Sequence, residues 1–353
     1  MNIPLHSAPR LRSPFELVTH PECYLIDVHL RNHYDHWVLE PVINKLHQDL
    51  SNVLRDETGY EGRLHFATTG SDGRWEKKGV ETSPLEAIVF IDHVQKEIAS
   101  TIEHLLLDQT HGGKKVFGDV EVKFLDPSLL PYFKNNKSKL ESSWPTRIFD
   151  ARSLDSRSGY VLNEAKGMLG QTIAHQEEGK EMLYRLRKNL IQYRSICQKN
   201  GKGRFGGRDL AHFDTEEGLM FFDREGVIQT GSVKFGPLRA VQLFLAYKFV
   251  RALREKELTE AIMKRHLTSF PTDIRGKIEY LTTTRILPSH ADVFLPLEEE
   301  KVHSLASLYR YFLFHYYLSE YAYAEEQRTE VAIPNRAEFR ENLQSITQLL
   351  RLD

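Results

Sequence analysis

Phe66-Ala-Thr-Thr-Gly-Ser-Asp-Gly-Arg-Trp-Glu76 and the apolar run Ala87-Ile-Val-Phe-Ile91 decide how this chain is read. A strand-like approach, Arg63-Leu-His-Phe-Ala-Thr68, leads into Gly70 and Ser71. Small and capping residues there start a helix whose free backbone N–H groups face an anion, which makes the turn a candidate phosphate seat. Glu81 and Glu86 stand just before the second apolar run. Carboxylates opposite such a turn are the oxygen ligands that metal-assisted phosphoryl or nucleotidyl transfer requires. The same residues also have a purely structural reading. Ser71 and Asp72 can cap a helix for hydrogen-bonding reasons alone, and Arg74 with Glu76 can brace the turn as an ion pair.

Outward from this stretch, Leu64 to Thr68 and Leu85 to Asp92 read as strands, the second nearly all apolar and therefore central in a sheet. Upstream, Trp37, Val42, Leu46, Leu50 and Val53 recur at helical spacing and give an amphipathic helix from Asp35 to Arg55. Downstream, Ile98, Ile102, Leu105 and Leu106 give another helix. Val116 to Leu125 alternates as a strand, with Asp119, Glu121 and Lys123 on the face opposite Val120, Val122 and Phe124. A loop rich in Pro, Asn and Lys follows over 126–143, then Thr146 to Arg152 reads as a short strand and a turn. Beyond it Asn163–Ile173, Glu181–Gln198, Leu238–Arg254, Leu258–His266 and Val302–Glu326 carry helical periodicity. The pattern predicts an α+β protein: a lead-in and helix over 1–58, a small mixed-sheet domain over 59–145 and a helical domain over 146–353.

Composition sets the outer limits. With 353 residues, 41% of them hydrophobic, the chain suffices for about two domains. A formal charge of −2 gives no global field toward nucleic acid or an anionic membrane. No signal-peptide core opens the chain and no stretch reaches the roughly twenty apolar residues of a membrane span, so a soluble, cytoplasmic protein is expected. Cys23 and Cys197, the two cysteines, lie far apart and suit a reducing compartment rather than a disulfide framework or thiolate zinc site.

Gly70-Ser71-Asp72-Gly73-Arg74-Trp75-Glu76 has the form Gly-Ser-x-Gly-Arg-x-Glu. It resembles the signature of the polymerase-beta-like nucleotidyltransferase superfamily, in particular the branch with PII-protein uridylyltransferase and the nucleotidyltransferases found beside cyclic-nucleotide-binding and CBS domains. Arg147-Ile-Phe-Asp-Ala-Arg152, with Gly159 shortly after, is similar to that branch's Asp-x-Arg segment. Ser232-Val-Lys-Phe-Gly-Pro-Leu-Arg-Ala-Val-Gln242 is similar to its Lys…Gly-x-Leu-Arg helix start. The resemblance implies a nucleotidyltransferase domain followed by a helical domain. It also implies a nucleoside triphosphate substrate, Mg2+ or Mn2+ as cofactor, and transfer of a nucleoside monophosphate to a hydroxyl on a protein or small molecule. In the family Gly-Ser positions the triphosphate, while an Asp-x-Asp pair and a third carboxylate hold two metal ions about 4 Å apart. Carried to this chain, that implies nucleotide contacts at Gly70, Ser71, Gly73, Arg74, Lys234 and Arg239, and catalytic metal ligands at Glu86, Asp119 and Glu121.

The chain leaves the family pattern at Thr82-Ser83-Pro84-Leu85-Glu86-Ala87, where Asp-x-Asp should stand. Alignment on the apolar strand leaves one carboxylate or none at the two acidic positions, and proline cannot ligate a metal. A catalytically inactive nucleotide sensor or scaffold of the same fold is therefore the alternative. Lys234 and Arg239 stand at a helix start, where the dipole disfavours cations, which suits contact with a phosphate or carboxylate. Lys202-Gly-Arg-Phe-Gly-Gly-Arg-Asp209 lacks the Gly-Lys-Ser/Thr ending of a phosphate loop and reads as a linker. The aromatic series from Tyr309 to Tyr323 surrounds its helix and reads as core.

Overall fold

The structure, a computed structural model, describes residues 48, 51–53, 55–56, 59, 64–74, 76, 85–91, 96–108, 110–111, 114–115, 117–124, 144–153, 156–197, 204–205, 208–209, 233–255, 258–283, 285–286, 293–294, 297, 299–324 and 336–352. It is mostly helical with a small four-stranded mixed sheet. Glu81, Pro84, the loop over 126–143 and most of the helix expected before Arg55 lie outside the described residues. The chain divides into two compact units, one of 1–33, 192–241 and 304–353 and one of 34–191 and 242–303.

The second unit holds the sheet. Strands β1 (Leu64–Thr68), β2 (Leu85–Ile91), β3 (Phe117–Phe124) and β4 (Arg152–Ser153) lie in the order β3-β2-β1-β4. β1 is antiparallel to β2 and β4, and β2 runs parallel to β3. Helix α1 (Lys96–Leu107) supplies the crossover that a parallel pair needs, and it packs on β3. Leu64, Phe66, Ala87, Val89, Ile102 and Phe117 form one core. Their spacing of two along each strand places them on one face. Ile88 and Phe90, the alternating positions of β2, are buried as well. β2 is therefore covered on both faces, as its unbroken apolar run predicts.

Thr146 to Arg152 differs from the expected strand and turn: helix α2 (Trp144–Asp150) comes first and β4 is only two residues long. Pro145 sits in the first turn of α2, where a missing N–H costs nothing because it would have no helical acceptor. β4 joins the sheet from beyond residue 145, so this unit takes in chain from both sides of that position.

Helices α3 (Ser156–Ala174), α4 (Gln176–Ile196), α5 (Arg239–Glu255), α6 (Glu260–Ser269) and α7 (Ile274–Thr283) follow. α3 packs against β1, β4 and α6. Local chemistry sets two of the helix starts: Thr259 Oγ1 accepts from the Ile262 amide ahead of α6, and Asp273 Oδ1 from the Gly276 amide ahead of α7. The helices close on an aromatic knot, where Phe249 and Phe270 stack with centroids 3.8 Å apart and Phe149 meets both edge-on at 5.5 and 5.6 Å.

In the other unit, described by itself, most of α8 (Glu299–Ala324) and α9 (Arg336–Leu349) supply the core. Tyr309 and Phe312 are buried, and Phe312 meets Phe339 edge-on at 5.3 Å, so this part of the aromatic series packs inward. Lys234–Leu238 forms a π-helical turn containing Pro237. The proline has no N–H to return to Val233, and the Arg239 amide instead reaches the Lys234 carbonyl five residues back. Cys197 is buried, and burial pushes its thiol up, away from the reactive thiolate. Among the described residues no helix is long and apolar enough to cross a membrane.

His315, only 6% exposed, packs on Tyr311 and Phe339, and its Nδ1 has no described hydrogen-bond partner. Burial pushes its imidazole down from 6.5 to about 4. A base held neutral by folding contributes stability above its ordinary pKa and loses it as the pH falls through the folded value. Unfolding free energy should therefore drop by about 3 kcal/mol between pH 6.5 and 4 through this residue, a decline that urea titrations should find flattened in His315→Phe.

Candidate functional site

Thr69 leaves β1 and is tied down on two sides. Its amide donates to the Glu86 carbonyl at 3.0 Å and its hydroxyl to the Arg147 carbonyl at 2.9 Å. Gly70 follows with φ +64°, a left-handed conformation that side chains disfavour. It has a second reason to be glycine. A Cβ there would lie 2.1 Å from Glu86 Oε2, so the Glu86 carboxylate rests directly against the turn. Gly70–Gly73 makes a single helical turn, with Ser71 half-buried. At Gly73 a Cβ would lie 1.7 Å from the Asp150 carbonyl. This glycine is fixed by the close approach of α2 to the turn.

Glu86 opens the regular part of β2. Leu85 pairs with Phe117 but Glu86 with Asp119, so Gly118 is an extra residue on β3 and makes a bulge. The pairing then continues with Ile88 opposite Glu121.

Arg74 ends the turn and is buried. Its Nε pairs with Glu76 at 2.8 Å and its Nη1 with Asp150 Oδ2 at 2.5 Å, while Lys277 Nζ from α7 holds Asp150 Oδ1. Desolvation, the largest influence on Asp150, works to raise its pKa. The nearby Lys277 and Arg74, with the hydrogen bonds they donate, overcome it and hold the carboxyl below its ordinary 3.8. Lys166 from α3 is buried beside the pair, and burial, with Lys277 adding repulsion and Asp150 opposing, brings its amine down to about 8.

The structure thus gathers Gly70, Ser71, Gly73 and Arg74 into one turn and sets Glu86 against it, with Asp119 as the register partner of Glu86 and Glu121 two residues further along β3. Arg74 is engaged by carboxylates of the chain itself. Lys234 and Arg239 belong to the other unit: Lys234 is exposed and lies over the Phe235 ring, and Arg239 hydrogen-bonds Tyr193. Among the described side chains, which do not include those of Asp119 and Glu121, no three His, Cys, Asp or Glu converge as a metal site.

The sequence reading missed Lys166 and Lys277 as members of this cluster. A signal was present. Leu162, Lys166, Leu169 and Ile173 share one stripe of α3, and Ile274, Lys277, Ile278 and Leu281 share one of α7, so each lysine interrupts an apolar face. Such a lysine needs a buried acid.

No protein-family model matches this chain, and no curated protein matches it.

Removing the Asp150 charge leaves Lys277 buried without its ion-pair partner and Arg74 with Glu76 alone, so Asp150→Asn should cost about 3–5 kcal/mol in chemical denaturation. The stabilisation that Asp150 contributes is full above pH 3.8 and is lost as the pH falls through its lower folded value. Acid-unfolding curves should therefore flatten in that range in the variant. Gly73→Ala should be at least as damaging, because backbone rather than a movable side chain stands in the way.

Proposed function

We propose that this chain is a nucleotidyltransferase-like protein that binds a nucleoside triphosphate at the Gly70–Ser71 turn and transfers its nucleoside monophosphate to a hydroxyl on a protein or small molecule. The observation that carries the reading is the Glu86 carboxylate resting on Gly70 while Glu86 pairs in register with Asp119. Both residues offer hard oxygen donors, the kind that suits Mg2+ or Mn2+. Glu86 and Asp119 would hold the ion, with Glu121 as a further acid on β3. When bound, such an ion neutralises polyphosphate charge and activates the attacking oxygen.

The chain's own residues do the rest. Gly70 lets the backbone reverse close to the acids, and Thr69 locks that reversal to β2 and α2. Arg74 holds the turn from behind through Asp150 and Glu76, a positioning role rather than a phosphate contact. Support for a nucleotidyltransferase domain followed by a helical one comes from the Gly-Ser turn between neighbouring antiparallel strands and from the acid-bearing strand running parallel beside the second. The reading places the protein in the cytoplasm and needs neither membrane nor nucleic acid.

A second reading, a nucleotide sensor or scaffold without transfer, is favoured by Thr82-Ser83-Pro84-Leu85, which supplies no second acid before β2. Calorimetry separates the two. Transfer predicts triphosphate binding that needs Mg2+ and weakens at least about tenfold in Glu86→Gln, whereas binding indifferent to both supports the sensor. Incubation with labelled triphosphates, Mn2+ and cell lysate should label an acceptor. No incorporation from any of the four common triphosphates would sink the transferase reading.

A further inference from the structure

Helix α4 buries one stripe, Gly179, Met182, Leu186 and Leu190, and turns the opposite one to solvent. Glu177, Glu181, Tyr184, Lys188 and Ile191 are all exposed and, at about 100° per residue, fall within one strip of the helix surface. Among the described residues three large apolar side chains are exposed, Tyr160, Tyr184 and Ile191, and two of them stand on this strip. Tyr184 is 60% exposed and Ile191 51%. They are one heptad apart, a spacing at which two helices lying side by side meet.

The strip is divided by charge. Its N-terminal half carries two acids, Glu177 and Glu181, and its C-terminal half carries Lys188 with Arg187 beside it, while Tyr184 lies between. Lys180 pairs with Glu177 at 3.1 Å and Arg185 with Glu181 at 2.6 Å. These are exposed or half-exposed pairs within a turn of helix, which gain little and re-aim readily. Lys180 and Arg187 stand at one edge of the strip, roughly 60° from its centre or more, where they stay hydrated. A partner of a single sign would match only half of such a surface. A second copy lying antiparallel matches both halves. With the two Tyr184 side chains meeting, Glu181 of one copy comes level with Arg187 and Lys188 of the other, and Ile191 comes against the stems of Glu177 and Lys180.

We propose that the exposed strip of α4 is the contact through which two copies of this chain pair, antiparallel, about a two-fold axis near Tyr184. Every charge contact then occurs twice, as a self-complementary interface requires. The pairing does not depend on the nucleotidyltransferase reading.

The test is sedimentation velocity of the full chain from about 1 to 100 µM. The unmodified chain should dimerise, and added salt should weaken the dimer because the charges sit at the surface. Two double variants change exposed side chains alone. Glu177→Lys with Glu181→Lys turns the strip basic, and Arg187→Glu with Lys188→Glu turns it acidic. Each by itself should lose at least about tenfold in association constant, because like charges then face each other. Mixed in equal amounts, the two should form a heterodimer at least as readily as the unmodified chain pairs with itself, a rescue that damaged folding cannot produce. A monomer at every concentration overturns the proposal and leaves the strip to a different protein. A dimer that both variants keep unchanged, or monomeric variants that fail to combine, overturns it as well.

Discussion

Asp150 carries its negative charge where water hardly reaches, and the described architecture of its unit leans on that charge being answered. The answer comes from Arg74 at the end of the Gly70–Gly73 turn and from Lys277 on α7, far apart in sequence. An ion pair of this kind gains little over a well-packed apolar contact, because its desolvation offsets most of its attraction. What it provides is an address. Neither cation can settle elsewhere in the interior, so the turn, α2 and α7 are obliged to meet at one point. The collision awaiting any side chain at Gly73 narrows that meeting further.

The sheet was legible because its signals are local. β1 and β2 were read within a residue of their ends, since an apolar run bounded by polar residues has few other uses. Most of the long helices were legible for the same reason, although α9 was not read. α2 was misread because a run of seven residues with Phe and Ile at its centre satisfies strand and helix alike. α7 went unread because Lys277 breaks its apolar stripe, and the reason for that break lies in Asp150, a tertiary partner.

The site divides along the same line. Gly70 and Glu86 could be picked out from the sequence, and the structure brings their atoms together. Arg74 could be read two ways, as a phosphate ligand or as a brace for its turn. Its hydrogen bonds to Glu76 and Asp150 are those of a brace. Lys166 was marked only by its place in the apolar stripe of α3, and its nearness to Asp150 and Lys277 exists only after the chain has folded. The contact between Glu86 and Gly70 also bears on any polyanion approaching the turn. A carboxylate at that position repels a phosphate unless a cation lies between them.

Gly118 has a consequence for comparing this chain with others. The extra residue shifts the ladder so that Glu86 meets Asp119; without it, Asp119 would fall opposite Ala87 and the two acids would no longer be neighbours. The spacing of the acidic pair is thus written as a length rather than as a residue type. Loss of that one residue would move Asp119 to the buried face shared by Ala87 while leaving every acidic residue in place.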